Sequence, residues 1–200
     1  MKIIYINRKC TQFIIKLYFL ILIPINQPKK LLQKLYLFDN EISLLIKNKD
    51  VLKVLNDTFI HTPSILIING VESPPNISIN DAGLKDYNVT IKWDYQLTDC
   101  SYMFSELAKI IEIDLSKFDF SKVKNMSHMF HNCQDLTNIN FNNSNTSLVE
   151  DMSYLFYYCK EIKSLNLSFL DTSSVTNMEY MFYYNYKLNS LDYRILLQQK

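Results

Sequence analysis

The chain has 200 residues, 48% of them hydrophobic, which is enough for one or two domains with a sizeable core. A formal net charge of +1 offers no basic surplus of the kind phosphate binding needs, so nucleic acid is not an expected partner. Only 2 glycines occur, which all but excludes glycine-rich phosphate loops and nucleophile elbows, where backbone must approach a ligand or take positive φ.

Residues 1–34 form the first segment. Lys2, Arg8 and Lys9 precede an apolar run from Phe13 to Ile25, broken by Lys16 and Pro24. A charged start followed by an apolar stretch is the pattern of a secretory signal or a membrane anchor. No A-x-A-like cleavage site follows, and the run is short of the roughly 20 residues of a spanning helix. The other reading is a simple N-terminal extension. The four cysteines (Cys10, Cys100, Cys133 and Cys159) include no CxxC pair, too sparse for a disulfide scaffold and wrongly spaced for a zinc knuckle.

Residues 35–98 read as a small β-rich module. Glu41–Ile46 and Ser64–Ile68 are apolar runs of strand length, followed by turn signals at Asn69-Gly70 and Pro74-Pro75. From Asn88 to Tyr95 the chain alternates, with Val89, Ile91, Trp93 and Tyr95 on one side, as a half-buried strand requires. Lys47 to Asn56 reads as a short helix. The module is expected to cap the residues that follow, because an open repeat end would expose core.

Residues 99–200 are a repeat. The hexamers DCSYMF, NMSHMF, DMSYLF and NMEYMF begin at 99, 125, 151 and 177, a constant spacing of 26. Phe104, Phe130, Phe156 and Phe182 share one column. A fixed period of this length is the mark of stacked units. Within a unit, Ile162, Leu165 and Leu167 form an LxxLxL pattern, repeated at Ile110, Ile113 and Leu115, at Leu136, Ile139 and Phe141, and at Leu188, Leu191 and Tyr193. Spacing of two at its end suits a strand. A polar turn at Asp171–Ser174 follows, with Ser173 placed to cap a helix. Val175, Met178, Met181 and Phe182 then recur at helical spacing, as do Val149, Met152, Leu155, Phe156 and Cys159 one unit earlier. Each unit is therefore expected to be a strand plus a short helix.

These residues resemble the BspA-like leucine-rich repeat family, the 26-residue surface-protein repeat of bacteria and protists. The likeness rests on Leu170–Phe182 (LDTSSVTNMEYMF) and Phe118–Cys133 (FDFSKVKNMSHMFHNC), and more loosely on Ile68–Gly70 and Ile91–Trp93 ahead of the repeats. Two units depart from it: Ser144 stands in the column of Phe118 and Leu170, and Asn185 in that of Cys133 and Cys159. The expected fold is α/β, a leucine-rich-repeat-like solenoid of parallel strands and short helices, preceded by the β-rich capping module. The resemblance implies a non-enzymatic, extracellular or surface-attached protein of the adhesion or ligand-binding kind, without a cofactor.

The expected partner surface is the strand face turned away from the core: Glu112, Asp114, Asn138, Asn140, Ser164, Asn166, Ser190 and Asp192. It would meet a protein or cell-surface ligand, with membrane attachment through residues 13–25. The alternative is a cytoplasmic scaffold that self-associates through its C-terminal unit. Other constellations read as structural. Cys133 and Cys159, one unit apart, would stack as buried thiols or pair as a disulfide. His128, His131, Cys133 and Cys159 invite a metal reading, but His128 shares a column with Tyr102, Tyr154 and Tyr180, so no metal is expected. Tyr154, Tyr157, Tyr158, Tyr180, Tyr183 and Tyr184 would cover the core or form a sticky patch. Asn-x-Ser/Thr sequons start at Asn56, Asn76, Asn88, Asn125, Asn142, Asn145 and Asn166 and would accept glycans in a secreted eukaryotic chain.

Overall fold

The computed structural model describes residues 40–47, 52–74, 78–79, 86–141, 144–168 and 170–191. Residues 1–34, with the expected signal, anchor or extension, and Asp192 and Tyr193 lie outside them.

Alternation makes the strands of the module. Along β1 (Asn40–Lys47), Ile42, Leu44 and Ile46 are buried, while Glu41, Ser43 and Leu45 face the other way. Strand β6 buries Tyr87, Val89, Ile91 and Trp93 in the same manner (Asp86–Trp93). The two pair antiparallel, with Ile42 opposite Ile91 and Leu44 opposite Val89, so each inward row packs on the next. The far edge of β6 carries β3 (Ile65–Ile68), which turns at Asn69-Gly70 into β4 (Val71–Ser73). Both turn residues have positive φ, 49° and 81°, the geometry a two-residue hairpin needs and the reason glycine stands at 70. Between these elements, β2 (Leu52–Lys53) and β5 (Ser78–Ile79) form a small antiparallel pair. Tyr95 does not continue the inward row of β6. It lies past the strand's end, 40% exposed, and its hydroxyl donates to the Thr62 carbonyl at 3.1 Å.

The other edge of β1 joins the module to the repeats. Strand β7 (Ile110–Lys117) lies antiparallel to β1, with Leu44 opposite Ile113, and β8 (Asn138–Asn140) lies parallel to β7. The resulting six-stranded sheet has the order β4-β3-β6-β1-β7-β8. Farther on, β9 (Ser164–Leu165) and β10 (Ser190–Leu191) pair parallel in a sheet of their own.

This overturns the expected leucine-rich-repeat-like solenoid of parallel strands and short helices. The main sheet is mixed, the parallel pairing does not run on from β8 to β9, and no helix occurs among the described residues. Lys47 ends β1 and Leu52–Lys53 are strand, so no helix covers the described part of 47–56. Ser173 caps nothing; its amide donates to Asp171 Oδ1 at 2.9 Å in an Asx turn.

What replaces the helix is a ladder of turns. The amides of Met103, Ser105 and Leu107 donate three residues back, to Cys100, Tyr102 and Phe104, at 3.1–3.3 Å. The intervening amides of Cys100, Tyr102, Phe104 and Glu106 donate to Asn125, Ser127, Met129 and His131, 25 residues ahead, at 2.8–3.1 Å. Met126, His128, Phe130 and Asn132 repeat this toward Asp151, Ser153, Leu155 and Tyr157, and Met152, Tyr154, Phe156 and Tyr158 toward Asn177, Glu179, Met181 and Tyr183. Two residues per unit are left-handed: Tyr102 and Glu106, His128 and Asn132, Tyr154 and Tyr158, Tyr180 and Tyr184, with φ of 55–65°. An α-helix needs negative φ and four-residue hydrogen bonds throughout, so this backbone excludes one.

Each ladder is started by the acidic or amide residue that opens its hexamer. Asp99, Asn125, Asp151 and Asn177 accept from the amide two residues on, at 2.7–3.1 Å, and are bridged in parallel from one to the next. Inside, the phenylalanine column stacks: Phe104–Phe130, Phe130–Phe156 and Phe156–Phe182 have ring centroids 5.9, 5.3 and 5.8 Å apart and planes within 11°. Phe104, Phe130 and Phe156 are fully buried, as are Met103, Met129 and Leu155 beside the first three rings.

Candidate functional site

The polar face of the six-stranded sheet is built by the pleat. Whatever β1, β6, β7 and β8 do not bury, they present on the opposite side. A shallow groove of about 270 Å³ runs across that side, and Glu112, Asp114, Asn138 and Asn140 line it together with Ser43, Leu45 and Asn88. Pairing explains the set: Ser43 lies opposite Asp114, Leu45 opposite both Glu112 and Asn88, and Glu112 and Asp114 beside Asn138 and Asn140. Asp114 Oδ1 accepts from Asn140 Nδ2 at 3.0 Å and from the Ser116 amide at 2.9 Å, which fixes both side chains. Glu112 and Asn138 are exposed.

The remaining expected residues sit elsewhere. Ser164 and Ser190 are exposed and directly paired on β9 and β10. Asn166 follows β9 and accepts from the Ser168 amide and hydroxyl at 3.1 and 2.7 Å. The groove thus gathers four of the expected positions and adds Ser43, Leu45 and Asn88. Those three have the outward parity of their strands, but no periodicity says that β1 inserts between β6 and β7. One end of this face carries an ion cluster. Glu41 meets Lys92 Nζ at 2.5 Å and Lys117 Nζ at 3.3 Å. Burial pushes the Glu41 carboxyl up, but these two ammonium groups outweigh it and hold the carboxyl below its usual range.

The other wall is aromatic. Tyr102–His128 and His128–Tyr154 stack at 4.5 and 4.6 Å, Tyr154–Tyr180 follow at 5.1 Å, and His131–Tyr157 and Tyr157–Tyr183 form a second column at 5.0 and 5.8 Å. Tyr180, Tyr183, Tyr184 and Tyr186 of the last unit are 40–71% exposed. Burial, then the neighbouring His131, holds the His128 imidazole below its usual pKa. His131 Nδ1 faces Glu106 Oε1 at 3.1 Å and Ser105 Oγ at 3.4 Å. Both contacts use one ring nitrogen, whereas a nucleophilic relay needs one on each. Among the described residues no three His, Cys, Asp or Glu side chains are grouped to hold a metal ion.

Cys133 and Cys159 are buried free thiols, each donating to a carbonyl of the preceding unit (Phe104 and Phe130) at 3.1 Å. Burial pushes the Cys133 thiol well up and the Cys159 thiol up to about 12. Of the sequon residues, Asn56 commits its side chain to the Ser105 carbonyl and Asn125 to the Ser127 amide.

No curated protein and no solved structure matches the chain. Residues 98–194, which hold all four turn ladders, match the model of a family described as Mycoplasma protein of unknown function, DUF285.

Proposed function

We propose that this is a BspA-like repeat protein of the cell surface or exterior, without enzymatic activity, that contacts another protein or a cell-surface ligand through the polar face of its main sheet. The observation that carries the reading is the convergence of Glu112, Asp114, Asn138 and Asn140 with Ser43, Leu45 and Asn88 in one groove. Side chains on paired strands keep their spacing, and rigid polar surfaces lose little entropy on binding. The BspA-like repeats of residues 118–133 and 170–182 and the charged, apolar start of residues 1–34 support a location outside the cytoplasm. The test is attachment of the purified, labelled chain to intact eukaryotic cells, compared with a Glu112→Arg/Asn138→Arg variant. Attachment lowered about tenfold is the expected result. Equal attachment of the two proteins sinks the reading.

A second reading, self-association through the last unit, is favoured by the exposed tyrosines Tyr180, Tyr183, Tyr184 and Tyr186. Sedimentation of the chain beside a Tyr183→Ser/Tyr186→Ser variant separates the readings. A monomer at every concentration ends the second one.

A further inference from the structure

The inter-unit ladder has a direction: each unit donates its alternate amides forward, to carbonyls of the next. The first unit therefore has its own row of forward-equivalent carbonyls, at Asp99, Ser101, Met103 and Ser105, and no repeat before it to supply donors. Asn56 of the module answers half of that row. Its amide donates to Met103 O at 2.9 Å and its Nδ2 to Ser105 O at 2.7 Å. The carbonyls of Asp99 and Ser101 accept from no group among the described residues.

Those two residues open onto a cleft of about 490 Å³ between the Asn56–His61 loop and the first ladder. The size is that of a small-ligand site. Its lining is one-sided in charge. Asp99 and Glu106 contribute carboxylates, and no lysine or arginine stands among the described residues that line it. Asp99 Oδ1 accepts from the Ser101 amide at 2.7 Å, and its other oxygen has no partner among the described residues. The walls are aromatic: Phe59, His61 in edge contact with it at 5.4 Å, and Tyr102, which stacks on His128 with one face and lines the cleft with what remains. Among the described residues no three His, Cys, Asp or Glu side chains are grouped here, as a metal ion held by side chains would need. Unmet carbonyls, a free carboxylate oxygen and aromatic faces together suit an organic cation rich in N–H donors.

We propose that this cleft is a second binding site, separate from the sheet face, and that it takes a primary ammonium: a lysine side chain presented by a partner polypeptide. The ammonium's three N–H groups meet the Asp99 and Ser101 carbonyls and the Asp99 carboxylate, and its methylene stem lies along Phe59 and Tyr102.

The test is an amide-resolved NMR titration of the full chain at pH 8, with acetyl-Gly-Lys-Gly-amide as probe and the same peptide acetylated on its lysine as control. The expected result is saturable shifts at Ser101, Tyr102 and Glu106 with the lysine peptide alone. The conservative Asp99→Asn/Glu106→Gln variant keeps the Asx turn and is expected to bind about fivefold more weakly or worse. Glu112→Gln, on the sheet face, leaves the shifts unchanged. The proposal is overturned if the lysine peptide causes no saturable shift, if the acetylated peptide binds equally, or if the double variant binds as well as the native chain. A failure of the sheet-face reading leaves this titration untouched.

Discussion

The module and the repeats bury the same kinds of side chain on opposite backbone plans. In the module, β1 and β6 alternate strictly, and every second residue is inside because the strand pleats. In the repeats, Met103, Phe104 and Leu107 are inside at helical spacing, yet the backbone that carries them is a run of turns. Side-chain spacing reports which direction is inward. It does not report where the amides go. The module's strands satisfy their amides by antiparallel pairing, and β1 divides its own between β6 of the module and β7 of the repeats. The repeats send every other amide to the neighbouring unit, so each unit is half of its neighbour's hydrogen bonding.

The sharpest way to break this contrast is at the shared column. Phe156→Ala, between Phe130 and Phe182, is expected to lower stability by about 3–5 kcal/mol in denaturant unfolding. A loss below about 1 kcal/mol would place the column outside the core. Next comes alkali. Burial lifts Cys159 from 9.0 to about 12, so the folded chain keeps a proton that the unfolded chain releases. Stability from this group is complete below the ordinary thiol value and falls as pH climbs toward the folded one, by up to about 1.4 kcal/mol per pH unit. Unfolding curves across that window should show the slope, and Cys159→Ala should make it shallower, with Cys133 supplying part of what remains; an unchanged slope in the variant means Cys159 does not contribute.

A third test reads the backbone directly. At Tyr158, φ is 59°, so Tyr158→Gly should be more stable than Tyr158→Ala by about 1–2 kcal/mol. In a helix the order reverses, which makes the pair of variants decisive. The smallest effect is at His128. Burial and then His131 hold its pKa down, so the unfolded chain takes up the proton first, and stability drains as pH falls through the usual imidazole range. His128→Tyr, matching Tyr102 and Tyr154, should leave stability at neutral pH within about 0.5 kcal/mol and remove that acid slope. If the slope survives, the imidazole is not its source.

The legible parts of the fold are those where one residue answers one position. Val89, Ile91 and Trp93 declare a half-buried strand, Asn69-Gly70 declares its hairpin, and the phenylalanine column declares the register of the units. The turn ladder was hidden because its left-handed positions carry mostly tyrosine, with glutamate at 106, and only His128 and Asn132 are of types enriched there. Ring stacking of Tyr102 and Tyr154 on His128 holds a conformation that local preference opposes at the two tyrosines. The insertion of β1 beside β7 was hidden for another reason: antiparallel pairing between segments some 70 residues apart leaves no period to read. Outward parity was enough to find Glu112, Asp114, Asn138 and Asn140, but not Ser43, Leu45 or Asn88, which reach the groove through that unreadable pairing. The cleft depends on Asn56, where the sequence suggested the end of a helix.

The forward-pointing amides also make the length of this molecule quantised. A deletion of 26 residues between equivalent points joins one unit's donors to the next identical row of acceptors, with Asp, Asn and Phe still in their columns. A deletion of 13 sets the ladder of one unit out of register with the next, so its forward-pointing amides lose their row of acceptors, though it removes half as much protein. Whole units can be gained or lost by duplication and unequal exchange without any new contact being invented, so copy number is the dimension along which such a chain can vary most freely.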